Sequence, residues 1–171
     1  MVKKIYITTG TYDYLWRLFQ RHKKRSLIFM HNHEHALLLD ETVKQSIFQL
    51  PSTYEMIAEG GELVNKGFAH FYYYPVLEEE REFFEHHILK ANIFGPFPRG
   101  LIAYRFLRPV KKHAYLFFTL WEKEVDFRLW KKDLSLPVLL EIPESKLKKV
   151  PEPFPVPAYG VSYQVGKKEE E

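Results

Sequence analysis

LIAYRFLRPVKKHAYLFFTLWEKEVDFRLWKKD, residues 101–133, carries the reading of the fold. LIAYRFLRP and HAYLFFTLW are aliphatic and aromatic runs of strand length, and residues 110–112 between them suit a tight turn. After Trp121 the period changes. In EKEVDFRLWKKD and the residue after it, Phe127, Trp130 and Leu134 fall at i, i+3 and i+7, one face of a helix. Pro137 ends any extension of that helix, because it lacks an N–H and clashes with the preceding turn. Trp121 and Trp130 at these spacings are core residues first.

The same alternation extends outward. FAHFYYYPV (68–76) reads as a strand, and EEEREFFEHHILKA (78–91) as a helix. Glu78, Glu79 and Glu80 suit its positive start and Lys90 its negative end, with Phe84, Ile88 and Ala91 facing inward. FGPFPRG is a loop, and AYGVSYQV (158–165) a last strand. Residues 67–165 therefore read β-α-β-β-α-β, the ferredoxin-like order of an α+β protein. Six of the 11 prolines lie in residues 137–157, which read as an extended strap, anchored by Phe154, or as a proline-rich ligand for a groove.

Residues 3–41 repeat part of this order. KKIYITT is a strand, Thr11 caps a helix with Asp13 in its first turn, and Tyr12, Leu15, Trp16 and Phe19 make its buried stripe. SLIFMH and HALLLDE follow as two strands joined at residues 32–34. SIFQL reads as a further short strand, and YEMIAEGG as helix or strand. We expect a partial ferredoxin-like half over residues 1–62, a complete unit over residues 63–165, and a disordered tail at 166–171. The two halves would form a pseudo-dimer in one chain, since a sheet of this kind needs a partner for its second face.

The 171 residues include no cysteine, which excludes disulfides, thiolate metal sites and cysteine nucleophiles and suits a cytoplasmic setting. MVKKIYITTG lacks the apolar run of a signal peptide, and no stretch of about 18 apolar residues offers a transmembrane span. Peripheral membrane association stays open. The net charge of +3 is spread among alternating Lys, Arg and Glu, so no nucleic-acid stripe emerges. No P-loop, Rossmann fingerprint, GxSxG or HExxH motif is present.

KKIYITTGTYDYL, YEMIAEGGEL, GFAHF and above all AYRFLRPVKKHAYLFFTLWEKEVDFRLW resemble the TRAP family (target of RNAIII-activating protein) of Gram-positive bacteria and the HmoB type of heme-degrading monooxygenase. The resemblance runs from Met1 to about Trp130. It implies the antibiotic-biosynthesis-monooxygenase (ABM) domain of the dimeric α+β barrel superfamily, shared with IsdG-type enzymes. It also implies a site: heme between helix and sheet, a histidine on the second helix as iron ligand, and an asparagine and a tryptophan over the macrocycle. The tryptophan matches Trp130. The asparagine position falls on Tyr72. The histidine position falls near Leu140, and no histidine occurs after His113. The positions where TRAP proteins carry signalling histidines fall on residues 66–67, Glu80 and the proline-rich span, none of them a histidine.

The resemblance with these departures implies an ABM-domain protein that has lost its axial histidine and serves as a ligand-binding or stress- or signalling-linked protein. The alternative is a heme-binding monooxygenase with a different iron ligand. His70, Tyr72 and Tyr74 share one strand face, so His70, Tyr72 and Trp130 are the candidate heme-binding residues, with Trp130 catalytic if the chain is an enzyme. The expected partner is heme or a small hydrophobic ligand, in a monomeric pseudo-dimer or a homodimer. HNHEH (31–35) puts three histidines at alternate positions, yet residues 32–34 sit where a turn is needed; it reads as a solvated hairpin tip, and no metal site is assigned. A dyad of Glu85 with its neighbour His86 is weak, because adjacent helical residues do not face each other.

Overall fold

The computed structural model describes residues 3–92, 95–111, 114–133 and 158–168. The elements follow in the order β1 (Lys4–Gly10), α1 (Tyr12–Arg21), β2 (Leu27–His31), β3 (Ala36–Thr42), β4 (Ser52–Gly60), β5 (Gly67–Pro75), α2 (Arg81–Ala91, preceded by a 3-10 turn at Glu78–Glu80), β6 (Leu101–Pro109), β7 (Ala114–Trp121), α3 (Glu124–Asp133) and β8 (Tyr159–Val165). Leu134, Pro137, Leu140, Phe154, the span 137–157 and the turn residues Lys112 and His113 lie outside the described residues.

The eight strands close into one antiparallel barrel in the order β1-β3-β2-β8-β5-β7-β6-β4. The first four strands run β4-β1-β3-β2 and the last four β8-β5-β7-β6, the same relative order. Two expectations change here. YEMIAEGG is strand, and β4 gives the N-terminal half its fourth strand, pairing with both β1 and β6. SIFQL is not a strand: Ser46 Oγ accepts from the Phe48 amide at 2.9 Å, a local turn that tucks Phe48 under α1.

Period-two alternation sorts the strands into two layers. Ile5, Ile7, Ile28, Met30, Leu37, Leu39, Phe71, Leu116, Phe118 and Leu120 fill the barrel interior. Leu27, Phe29, Ala36 and Leu38 face outward and are covered by Leu15 of α1. Phe68, Tyr72, Tyr115, Phe117 and Trp121 face outward beneath Phe84 and Ile88 of α2 and Phe127 and Trp130 of α3. Covered on both faces, β2, β3 and β7 read as continuous apolar runs rather than alternating ones. Each fully buried Phe or Leu contributes roughly 1.5–3 kcal/mol. Ala91, expected inside, is exposed, because α2 reaches its end there.

Local signals set the element ends. Thr11 Oγ1 accepts from the Tyr14 amide and starts α1, a cap contributing about 1 kcal/mol. Gly67 opens β5 at φ +101, where a Cβ would lie 2.2 Å from the Trp121 carbonyl oxygen. The last described residues are tied down: the Gly166 amide donates to Phe29 O at 2.7 Å, and Lys168 N to the Tyr12 hydroxyl at 2.9 Å. Residues 166–168, expected in the solvated tail, thus extend the contact of β8 with the N-terminal half.

Candidate functional site

β5 presents Phe68, His70, Tyr72 and Tyr74 on its outer face, toward α2 and α3, as its alternation requires. The structure therefore brings His70, Tyr72 and Trp130 onto one layer. It does not leave them free. The His70 ring stacks on Phe127 at 4.2 Å between centroids, and its Nδ1 lies 3.0 Å from Ser162 Oγ on β8. Its other edge rests on the backbone of Gly160, where a Cβ would come within 2.8 Å of Nε2. Burial, with the nearby Lys131 ammonium second, lowers the His70 pKa to about 4, so the ring is neutral at neutral pH.

Tyr72 lies 6.5 Å from Tyr74, whose ring stacks on Phe84 at 5.1 Å. Burial raises the Tyr72 pKa, so its phenol keeps its proton. Trp130 is buried against Trp121 at 5.4 Å and Phe127 at 6.4 Å. Trp121 is fully buried, and its indole N–H has no hydrogen-bond partner among the described residues.

A Ser–His pair at hydrogen-bond distance is half of a nucleophile relay. Among the described residues no carboxylate is hydrogen-bonded to His70, whose Nε2 edge lies against Gly160, and an imidazole with a pKa near 4 is a poor base at neutral pH. Nor do the described residues of this layer, as they stand, fit a heme. Iron requires an imidazole nitrogen or a tyrosinate aimed into open space. Nδ1 of His70 is engaged by Ser162, and its Nε2 edge lies against Gly160. The cavity described on this face, under α2 among Ile88, Tyr104, Phe106 and Phe117, measures about 60 Å³. Pockets for drug-sized ligands run to roughly 300–1,000 Å³.

Three features were missed in the sequence. Gly160 and Ser162 matter because the β5–β8 register sets Gly160 opposite Tyr72 and Ser162 opposite His70, and no sequence spacing across 90 residues fixes a register. Glu85, set aside as half of a weak dyad, binds elsewhere. It accepts from Arg108 Nε at 2.9 Å and Nη2 at 2.6 Å, and from the Tyr115 hydroxyl. Burial alone would raise its pKa, but the Arg108 and Tyr115 hydrogen bonds outweigh it and hold the carboxyl below its usual range. The only advance signal was Arg108 and Tyr115 lying within strands.

HNHEH forms the β2–β3 turn, with Asn32 Oδ1 accepting from the Glu34 and His35 amides. His33 and Glu34 at its tip are exposed, as expected of a solvated hairpin tip, but the flanking residues are bound. His31 Nδ1 meets Gly166 O at 3.1 Å, Asn32 Nδ2 donates to Ser162 O at 3.2 Å, and His35 Nε2 meets the Tyr163 hydroxyl at 2.8 Å. His31 and His35 diverge because each finds its own partner on β8 or just beyond it. Of the three histidines only His33 is exposed. Among the described residues no group of three or more His, Asp or Glu is placed to hold a metal, and no helix is long and apolar enough to cross a membrane.

No protein-family model matches the chain. It is 27% identical over 131 residues to a heme-degrading monooxygenase of Listeria monocytogenes, a match spanning 77% of this chain and 78% of that protein. It is 29% identical over 115 residues to the signal transduction protein TRAP of Staphylococcus epidermidis, spanning 65% of this chain and 66% of that one. The chain is thus homologous to proteins of both kinds. Its fold matches a ferredoxin-fold protein from Listeria monocytogenes related to antibiotic biosynthesis monooxygenases, with TM-score 0.77 at 23% identity over 98% of this chain and 96% of the other. It also matches a structure described as a major regulator of staphylococcal pathogenesis, with TM-score 0.81 at 21% identity over 96% and 99%. The fold is the ABM-like ferredoxin fold.

Proposed function

We propose that this chain is a TRAP- and HmoB-like ABM-domain protein that has lost heme chemistry and acts as a non-catalytic ligand-binding or signalling-linked protein. The observation that carries this reading is the state of His70. Among the described residues it is the one histidine on the outer face of β5 and β7, and Ser162, Gly160 and Phe127 enclose it. The absence of any histidine after His113 in the sequence supports it too. So does the name of the TRAP relatives.

In the same reading the chain is a pseudo-dimer, with a half over residues 1–62 that lacks its second helix and an ABM unit over residues 63–165. The repeated strand order supports this division. β4 and β2 then take the edge positions that a second chain would otherwise supply, and the closed barrel would function as a monomer.

A second reading, a heme-binding monooxygenase with His70 or Tyr72 as iron ligand and Trp130 over the ring, draws on the relative named a heme-degrading monooxygenase. It would require the layer around Trp121 to open. Titration with hemin separates the two. The expected result is no saturable Soret shift, and no Soret decay when reductant is added under air. A saturable shift abolished by Tyr72→Phe or His70→Ala would establish the second reading instead.

A further inference from the structure

The barrel is closed differently at its two ends. At one, Arg105 is buried and paired with Glu41, and Lys3 lies 3.6 Å from Glu41 and 3.1 Å from Glu59. At the other, β1 and β5 end and β4, β7 and β8 begin. There the inward positions are Thr9, Ser52 and Ala114, in line with Ile7, Tyr54 and Leu116 deeper inside. These small side chains leave a cavity of about 330 Å³, floored by Ile7, Tyr54 and Tyr73 and bordered by Tyr159 and Leu50. A second cavity of about 340 Å³ adjoins it across Leu50, Ser52 and Tyr54 and reaches Lys111. An eight-stranded barrel has room either to be filled by side chains or to hold one small ligand. This barrel is filled in its middle and open at this end.

The lining has the composition of a ligand site. Tyr54 is 4% exposed and lines both cavities. Burial, with Tyr159 second, pushes its pKa up to about 12, so it is a neutral donor at neutral pH. The Tyr73 and Tyr159 rings stack at 4.9 Å, a flat aromatic wall. Leu50, 93% exposed, adds apolar surface at the rim. Among the described lining residues of both cavities Lys111 alone is charged.

We propose that this end of the barrel binds a small planar aromatic carboxylate. The ring lies against the Tyr73–Tyr159 wall and Leu50. The carboxylate accepts from the Tyr54 hydroxyl and pairs with Lys111, a charge-assisted contact stronger than a neutral one. This site is separate from the sheet–helix face and does not depend on the fate of heme there.

Calorimetric titration of the full chain with 1-naphthoate and with uncharged 1-naphthamide tests it. The expected result is saturable one-to-one binding of naphthoate and at least tenfold weaker binding of the amide. Tyr54→Phe and Lys111→Gln should each weaken naphthoate at least fivefold, Thr9→Trp should abolish binding by filling the cavity, and Tyr72→Phe should change nothing. Tyr54→Phe removes one oxygen and keeps the ring, so its melting temperature should stay close to that of the parent. The site is refuted by any of three outcomes: no saturation at millimolar naphthoate, binding indifferent to both Tyr54→Phe and Thr9→Trp, or a Tyr54→Phe protein that melts early.

Discussion

Gly160 of β8 lies against the ring edge of His70 on β5: a Cβ at Gly160 would stand 2.6 Å from Cε1 and 2.8 Å from Nε2. That contact, together with Ser162 and the Phe127 ring of α3, fixes where the imidazole sits. It makes His70 a strut between two strands and α3.

Gly160→Ala should therefore act through His70. The methyl group displaces the ring from Ser162 and Phe127, and overpacking of this kind costs about 1–3 kcal/mol. His70→Ala alone should also destabilise, by loss of the stacked ring. The double variant should be less damaged than the sum of the two. A double-mutant cycle from urea melts measures this, and strict additivity would contradict the contact.

Stability should fall with acid in a window set by His70. Its folded pKa is about 4 against 6.5 unfolded, so between these values the unfolded chain takes up a proton that the folded one refuses. The contribution of neutral His70 is full above pH 6.5, is lost as pH drops towards 4, and changes no further below that. The shift corresponds to about 3 kcal/mol at most. In His70→Gln the slope of stability against pH over this window should be shallower. The lowered pKa of Glu85 adds a loss of the same sign at more acidic pH.

Glu85→Gln should loosen α2. Glu85 joins the helix to Arg108 of β6 and Tyr115 of β7, and the substitution removes the charge-assisted pair with Arg108. The expected cost is about 1.5–3 kcal/mol. Hydrogen exchange should show faster opening of Arg81–Ala91 with the barrel strands unaffected.

Arg25→Ala should be among the most damaging single changes. Arg25 Nη2 lies 2.8 Å from Asp40 Oδ2, and Asp40 is 1% exposed on β3. Removing the guanidinium leaves a buried carboxylate unpaired, at roughly 3–5 kcal/mol. Arg25→Ala combined with Asp40→Asn should recover a large part of that loss in a denaturant melt.

The sequence by itself determined most of the elements. The strand–turn–strand–helix run of residues 101–133, the aromatic strand at 68–76 and the capped helix after Thr11 are written in local periods and end signals, which act over a few residues. It also determined that no histidine follows His113. It could not distinguish β4 from a helix, because a short apolar run fits either until its neighbours β1 and β6 are known. Only the tertiary structure decided that eight strands close into one barrel, that Gly160 and Ser162 enclose His70, that Glu85 serves Arg108 rather than a neighbouring histidine, and that HNHEH binds to β8. Each of these depends on the register between segments far apart in the chain, and a shift of one residue would turn every one of those side chains to the opposite face.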